Sequence, residues 1–146
     1  MSGRGINREK GDKGFLAYPL RRPGYLALEQ NEVPSARRYF LESLILNRET
    51  EDRPAVAACL ASFAALAIRL DKPVLAAHLF GVVERQLESL AINLLFFLDR
   101  AELERIRNHL LAYLEEATLS AAFAEGWDLT DEQAIDLARE ISVGED

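Results

Sequence analysis

The chain has 146 residues, of which 49% are hydrophobic and 28% are charged, and its net charge is −7. This length and composition are typical of one soluble globular domain with a proper core. The negative charge argues against direct binding of nucleic acid, which needs clustered Lys and Arg. The longest apolar stretch, Ala55 to Ile68, has 14 residues, whereas a membrane span needs about 20. We therefore expect a cytoplasmic protein that binds neither nucleic acid nor membrane directly.

The charges and the cysteine content set further bounds. Residues 1–22 carry a net charge of +4 and several glycines and prolines, which predicts a flexible basic leader. Residues 23–146 are expected to form one domain. The single cysteine, Cys59, excludes an intramolecular disulfide and fits a reducing cytosol. Its apolar neighbours indicate a small core residue.

The first predicted helix runs from about Tyr25 to Gln30, and Asn31 is expected to end it in a left-handed conformation. The next helix starts at Pro34, because proline is favoured in the first turn of a helix. Apolar residues three or four positions apart mark its buried stripe. The polar segment 47–53 is interpreted as a link.

A second pair of helices follows. Pro54 begins a helix to about Leu70 whose many alanines and leucines indicate burial on all sides. Asp71 is expected to cap a further helix that has Pro73 in its first turn and ends near residue 89 or 90. The apolar segment from Ile92 to Leu98 is interpreted as a linker that either folds onto the core or forms an exposed contact patch, and the core is the favoured alternative.

Helix signals continue to the C-terminal end. Asp99 to Glu102 has the spacing of a capping box and predicts a helix to about Glu116. A helix from Thr118 is expected to stop at Gly126, with Trp127 anchoring the last helix to the bundle. Thr130 to Gln133 is a second capping box before that last helix. No segment shows strand alternation, so we predict an all-α protein of about six or seven helices.

A near-repeat bears on the architecture. Ala36 and Phe40 recur as Ala76 and Phe80, 40 residues later, and self-similarity at this spacing is typical of stacked helical hairpins. These positions resemble the second helix of a tetratricopeptide repeat, although that repeat has about 34 residues. The resemblance implies an antiparallel array of hairpins, with repeats at about 24–50 and 55–90 and a helical cap at about 99–142.

The C-terminal part carries a second resemblance. The segments Leu119 to Gly126 and Leu129 to Ala138 are similar to the close of the helical-repeat region in bacterial LuxR- or AfsR-type transcriptional regulators and related signalling ATPases. The resemblance covers about Gly24 to Ala138. This chain has no Gly-x-x-x-x-Gly-Lys-(Ser/Thr) phosphate loop. The resemblance therefore implies a sensor or scaffold portion without the ATPase and DNA-binding parts.

No residue pattern points to catalysis. His78 and His109 lack neighbours at metal-ligand spacing, and a zinc site needs three or four converging ligands. Paired carboxylates such as Glu115 and Glu116 point in different directions on a helix or complement its dipole. We therefore predict a protein that is not an enzyme and has no cofactor.

These observations lead to three functional hypotheses. The favoured one is a module for protein–protein interaction or signal sensing, whose unidentified partner binds a concave face lined by first helices at Ala27, Glu29, Ser62, Ala65 and Arg69. The second is a self-association module that forms a homodimer through Leu94, Leu95, Phe96 and Phe97. The third is a regulatory domain that binds a small molecule.

Overall fold

The computed structural model describes residues 21–97 and 100–141, apart from the side chains of residues 90–97. Within these ranges the chain forms seven helices and no strand, which confirms the predicted all-α class. The helices are α1 (Arg21–Glu29), α2 (Val33–Glu49), α3 (Arg53–Arg69), α4 (Pro73–Phe97), α5 (Arg100–Tyr113), α6 (Glu116–Trp127) and α7 (Asp131–Arg139). Among the helices described, none is both long enough and apolar enough to cross a membrane.

The first three turns share one backbone geometry. Asn31, Glu51 and Asp71 have positive φ angles of 62°, 58° and 61°. In each turn the next N–H donates to the carbonyl five residues back, at 2.8 Å for Glu32 to Ala27, 3.0 Å for Asp52 to Asn47 and 2.9 Å for Lys72 to Ala67. This is the left-handed helix ending that glycine usually provides. Helices α2, α3 and α4 consequently start 20 residues apart.

Prolines and caps account for the helix starts. Pro34 and Pro54 lie in the first turns of α2 and α3, and α4 begins at Pro73, as the sequence predicts. The left-handed Asn31 is also confirmed. The expected role of Asp71 is wrong, because this residue ends the turn after α3 in the left-handed conformation and Lys72 separates it from α4.

Helix α4 is longer than predicted. It runs without a break to Phe97, so the segment from Ile92 is helical rather than a linker. The physical reason is that no proline or glycine occurs between Gly81 and Phe97 to stop the helix. The side chains that would decide whether this segment covers the core lie outside the described residues. Asp99, the first residue of the first predicted capping box, also lies outside them.

Helix α3 lies at the centre of the molecule. It packs against α1, α2, α4, α5 and α7, and its alanines allow these neighbours to approach closely. Phe63 of α3 is fully buried with Phe40 of α2, and their rings meet edge to face with centroids 6.1 Å apart. Burial of such a side chain contributes about 1.5–3 kcal/mol. The repeated residues Ala36, Phe40, Ala76 and Phe80 all lie in this core.

Helices α4 and α6 cross with their backbones in contact. A Cβ atom on Gly126 would overlap the backbone oxygen of His78, and a Cβ on Gly81 would lie 2.5 Å from the backbone oxygen of Phe123. The prediction that Gly126 stops its helix is therefore wrong, since α6 continues to Trp127. Glycine is needed here because it has no side chain, which permits this close approach.

Polar contacts fasten the last helix. The predicted capping box of α7 is present: the Gln133 N–H donates to Thr130 Oγ1 at 3.1 Å, and the Thr130 N–H donates to Gln133 Oε1 at 2.9 Å. Arg85 of α4 donates to the carbonyls of Trp127 and Leu129 and pairs with Asp131 at 2.9 Å. Trp127 is half-buried. The hydrogen bond from Arg85 to its carbonyl oxygen connects α4 to the end of α6, just before α7.

Candidate partner-binding cleft

Helix α5 adds a wall to the face formed by α1 and α3. It packs against α3, α4 and α6, and its buried residues are Leu103, Ile106 and Leu110. Most of its other side chains are exposed. The predicted concave face of first helices is therefore covered in part by a helix that the sequence analysis assigned to the cap.

A buried polar cluster joins the three helices. Arg21 of α1 is 7% exposed, donates from Nε to Ser62 Oγ at 2.9 Å and forms an ion pair with the carboxylate of Glu102 on α5. The Tyr25 hydroxyl donates to the same carboxylate. Because a buried charge is costly unless it is paired and hydrogen-bonded, this cluster fixes where α5 lies against α1 and α3.

The cluster shifts the pKa values of its members. Burial alone would lower the pKa of Arg21, but the nearby Tyr25 and Glu102 more than offset this and raise it above its ordinary value. Burial raises the pKa of Tyr25, and the Glu102 carboxylate raises it further. Both groups therefore lose their protons only at a more alkaline pH than they would in water.

Beside this cluster lies an open cleft of about 270 Å³ between α1, α3 and α5. Its lining has an apolar part and a polar part. The apolar part consists of Tyr25, Leu28, Ala65, Ile68 and Ile106. The polar part consists of Glu29, Arg69, Arg105 and His109, whose side chains are exposed. A surface of this kind can bury one apolar group and meet charged groups around it.

The charges of the cleft are not balanced within it. Arg69 donates one hydrogen bond to the carbonyl of Leu28. Among the described residues, Arg105 and His109 have no hydrogen-bond or ion-pair partner. Glu29 is the acidic residue of the lining. The cleft is thus locally positive in a chain whose net charge is −7.

The structure distributes the five predicted partner-binding residues between two places. Ala27 and Ser62 are buried, with 5% and 0% of their surface exposed, and Ser62 is bonded to Arg21. Glu29, Ala65 and Arg69 come together in the cleft. Leu94, Leu95, Phe96 and Phe97, predicted for self-association, belong to α4, and their side chains lie outside the described residues.

The third wall of the cleft contains none of the predicted site residues. Arg105, Ile106 and His109 come from α5, a helix that was interpreted as part of a cap. Residues three and four positions apart share one side of a helix. Their spacing could therefore have identified a mixed basic and apolar side of α5, although not the helices opposite it.

Two other depressions lie outside the cleft. A cavity of about 320 Å³ lies between α3 and α7, where Arg48 pairs with Glu132 and Arg53 with Asp131. Both arginines of its lining are paired with carboxylates of α7, so it is a seam between helices. A groove of about 210 Å³ between α5 and α6 is lined mainly by apolar residues, which include Phe80, Leu111, Leu119 and Phe123.

The two histidines and the cysteine lie apart from one another. His78 contacts Glu125 across the α4–α6 crossing, with 2.8 Å between Nε2 and Oε1, and His109 lines the cleft. Cys59 is buried, and its Sγ lies 3.1 Å from Ser43 Oγ. Burial raises the pKa of this thiol. In the part of the chain that the structure describes, no group of three or more His, Cys, Asp or Glu side chains could hold a metal ion.

Comparison of the chain with protein-family models, with curated proteins and with solved structures finds no match. The resemblance to regulators of the LuxR and AfsR types therefore stays a prediction from the residues that carry it.

Proposed function

We propose that this protein is a non-catalytic module for protein–protein interaction and that its partner binds the cleft between α1, α3 and α5. The observation that carries the proposal is the exposed pair Arg105 and His109, which lack partners among the described residues and stand beside an apolar floor. Interfaces bury an apolar centre inside a polar rim. A cleft with this lining offers both parts.

The proposal includes an architecture and a setting. We infer that α1 to α4 form two antiparallel, tetratricopeptide-like hairpins closed by α5 to α7, which the repeated turn geometry supports. The resemblance of Leu119 to Ala138 supports a place in a bacterial transcriptional or signalling regulator without its ATPase and DNA-binding parts. In this setting the protein is cytoplasmic and contacts another protein rather than nucleic acid or membrane.

Site-specific photocrosslinking tests this function. The full chain is produced in the cells that naturally make it, so that the partner is present. It carries p-benzoylphenylalanine at position 65, in the cleft, or at position 42 as the control. Ala65 is half-buried in the cleft, whereas Glu42 is exposed on α2. We expect irradiation to give an adduct of discrete mass from position 65 and none from position 42. Equal adducts from both positions, or none from position 65, would contradict the proposal.

Self-association is the second candidate function. Leu111 and Tyr113 on α5 are 53% and 61% exposed, and Leu111 borders the apolar groove with Phe80, Leu119 and Phe123. If the groove between α5 and α6 pairs two copies, the molar mass from light scattering will rise from that of a monomer to that of a dimer as the protein concentration increases. Leu111→Glu will then restore the monomer. A monomer at all concentrations excludes this candidate.

The cleft is less suited to a free small molecule. Pockets for such ligands enclose roughly 300–1,000 Å³ and bury most of the ligand, whereas this cleft measures about 270 Å³ and is open on one side. A thermal-shift screen of metabolites separates this candidate from the others, because a ligand that binds the folded state raises the unfolding temperature.

A further inference from the structure

We propose that the partner segment bound in the cleft is acidic. One of its apolar side chains, which has carboxylates on either side of it in the segment, inserts into the cleft. This inference rests on the proposed interaction function and adds the chemistry of the partner. The floor of the cleft and the cationic groups around it support this chemistry.

The floor selects an apolar side chain. Leu28 of α1, Ala65 and Ile68 of α3 and Ile106 of α5 contribute apolar groups to it. A polar group placed there would lose its hydrogen bonds to water without replacement. The volume of about 270 Å³ accommodates one or two side chains of a larger partner, which anchor to such pockets at protein interfaces.

The rim selects carboxylates. Arg105 and His109 stand four positions apart on α5, so they lie on the same side of that helix, and Arg69 lines the cleft from α3. Arg69 uses one donor on the carbonyl of Leu28, and a guanidinium has five N–H groups. Guanidinium groups bind carboxylates with two parallel hydrogen bonds. Only Glu29 opposes this preference within the lining.

The net charge of −7 does not cancel this local preference. At physiological ionic strength the screening length is about 8 Å, so exposed acidic side chains farther away than this act weakly on a group inside the cleft. Contact with Arg69 and Arg105 then decides which sequence binds. We expect the local cations to determine specificity, while the overall charge slows the approach of an acidic partner.

A peptide library tests the inference on the full chain. Phage-displayed random dodecapeptides are selected against the protein, and the Kd of the most enriched peptide, labelled with fluorescein, is measured by fluorescence polarisation. We expect the enriched sequences to combine Asp or Glu with a neighbouring Leu, Ile, Phe or Met. Arg105→Glu should weaken binding at least about tenfold, as expected for the loss of a charged hydrogen-bonded contact.

Arg100→Glu is the matched control. Arg100 is exposed on the same helix, and five residues place it about 140° around the helix from Arg105, while the change in net charge is identical. We expect its effect on Kd to stay below about twofold. Ala65→Trp, which fills the cleft without changing the charge, should abolish binding. Thermal unfolding of each variant checks that it remains folded.

The outcomes separate the inference from the function on which it rests. Enriched peptides that bind Arg105→Glu as well as the original chain would overturn the acidic segment and leave an interaction function standing. Enriched sequences without acidic residues would do the same. Equal weakening by Arg105→Glu and Arg100→Glu would show a general charge effect and overturn the cleft as the site. Failure to enrich any peptide overturns the inference. Absence of a photocrosslinked adduct from position 65 overturns the proposed interaction function.

Discussion

Arg21 brings a positive charge to a place where only 7% of its surface remains exposed. Burial of an ion costs several kcal/mol unless neighbouring groups compensate. Here Glu102 supplies the opposite charge, Ser62 accepts a hydrogen bond and Tyr25 donates to the same carboxylate. The loss of one member removes part of the compensation from the others, so the cluster is more sensitive to single changes than to paired ones.

We predict that Glu102→Ala lowers the free energy of unfolding by about 3 kcal/mol, because it removes the carboxylate that forms an ion pair with the buried Arg21. Urea denaturation followed by circular dichroism measures this change. Glu104→Ala, an exposed neighbour on α5, is the control and should change the value by less than about 0.5 kcal/mol. The pair Arg21→Met and Glu102→Leu should recover most of the loss, and equal losses in the single and paired variants would contradict this account.

Two acidic groups with raised pKa values make the stability fall at alkaline pH. The pKa of Cys59 is raised from its ordinary value of 9.0 by burial, and that of Tyr25 is raised from 10.0 by burial and by Glu102. Between the unfolded and folded pKa values the unfolded chain releases protons that the folded protein keeps. The free energy of unfolding therefore decreases as pH rises.

We predict that this free energy is steady from pH 7 to 8 and declines above pH 9, first through Cys59 and then through Tyr25. Urea denaturation at a series of pH values measures the slope. Cys59→Ala should be less stable overall but should show a smaller decline between pH 9 and 10. An unchanged slope in that variant would mean that Cys59 is not one of the groups responsible.

At the scale of elements, the backbone of the left-handed turn between α2 and α3 is strained at Glu51. Asn31, Glu51 and Asp71 occupy positive φ, which asparagine and aspartate tolerate but which costs a residue such as glutamate about 1–2 kcal/mol. We predict that Glu51→Gly raises the free energy of unfolding by about 1 kcal/mol, since it relieves that cost. Thermal and urea unfolding measure it. Glu42→Gly, in the exposed interior of α2, should have the opposite sign and lower it by about 1 kcal/mol.

The α4–α6 crossing reverses the usual effect of alanine. In an ordinary helix a change from glycine to alanine is stabilising by about 1 kcal/mol. At Gly126 the added methyl group meets the backbone of α4 at His78, so we predict a loss of about 2 kcal/mol from overpacking. Calorimetry should show a lower Tm for Gly126→Ala. The Tm of Ser120→Ala, on the exposed side of α6, should stay the same or rise slightly.

The local signals of the sequence predicted the elements well where a turn residue or cap defines them. Asn31, Pro34, Pro54 and the box at Thr130 all mark helix boundaries through interactions with their own neighbours. Gly126 was misread because the same residue type serves two purposes, a left-handed stop and a close contact with another helix. Only the position of α4 distinguishes them, and local sequence does not contain it.

At the scale of the whole molecule, stability is unevenly distributed. Helix α3 is buried along most of its length, whereas α5 buries only Leu103, Ile106 and Leu110 among its described side chains. Segments with few buried contacts open locally at lower cost. The helix that forms one wall of the cleft is thus held by a narrow apolar strip, by the Arg21–Glu102 pair and by the pair that Arg107 forms with Glu84 of α4.

We predict that hydrogen exchange, read by mass spectrometry, is at least about tenfold faster for amides of α5 than for those in the middle of α3. Glu102→Gln should speed the exchange of α5 further, because it removes the charge that pairs with Arg21, and should leave α3 nearly unchanged. Equal protection of both helices would mean that α5 is part of the same cooperative unit as α3.

The candidate site could be predicted only in part. Glu29, Ala65 and Arg69 follow from the helical period and from the expected stacking of first helices, and they do line the cleft. The contribution of α5 could not be predicted, because it depends on a contact between residues 81 positions apart, Arg21 and Glu102. The pairing of a buried guanidinium with one of many carboxylates has no signal in local sequence.

The crossing of α4 and α6 also has a consequence for tracing the ancestry of this chain. The atoms that a methyl group at Gly81 or Gly126 would strike belong to the main chain, so substitution of a facing side chain cannot make room for it. Homologous chains that keep this crossing should therefore retain glycine at both places, 45 residues apart in this sequence. Conservation of both glycines would then indicate common ancestry even where the surface residues, and with them the partner, have changed.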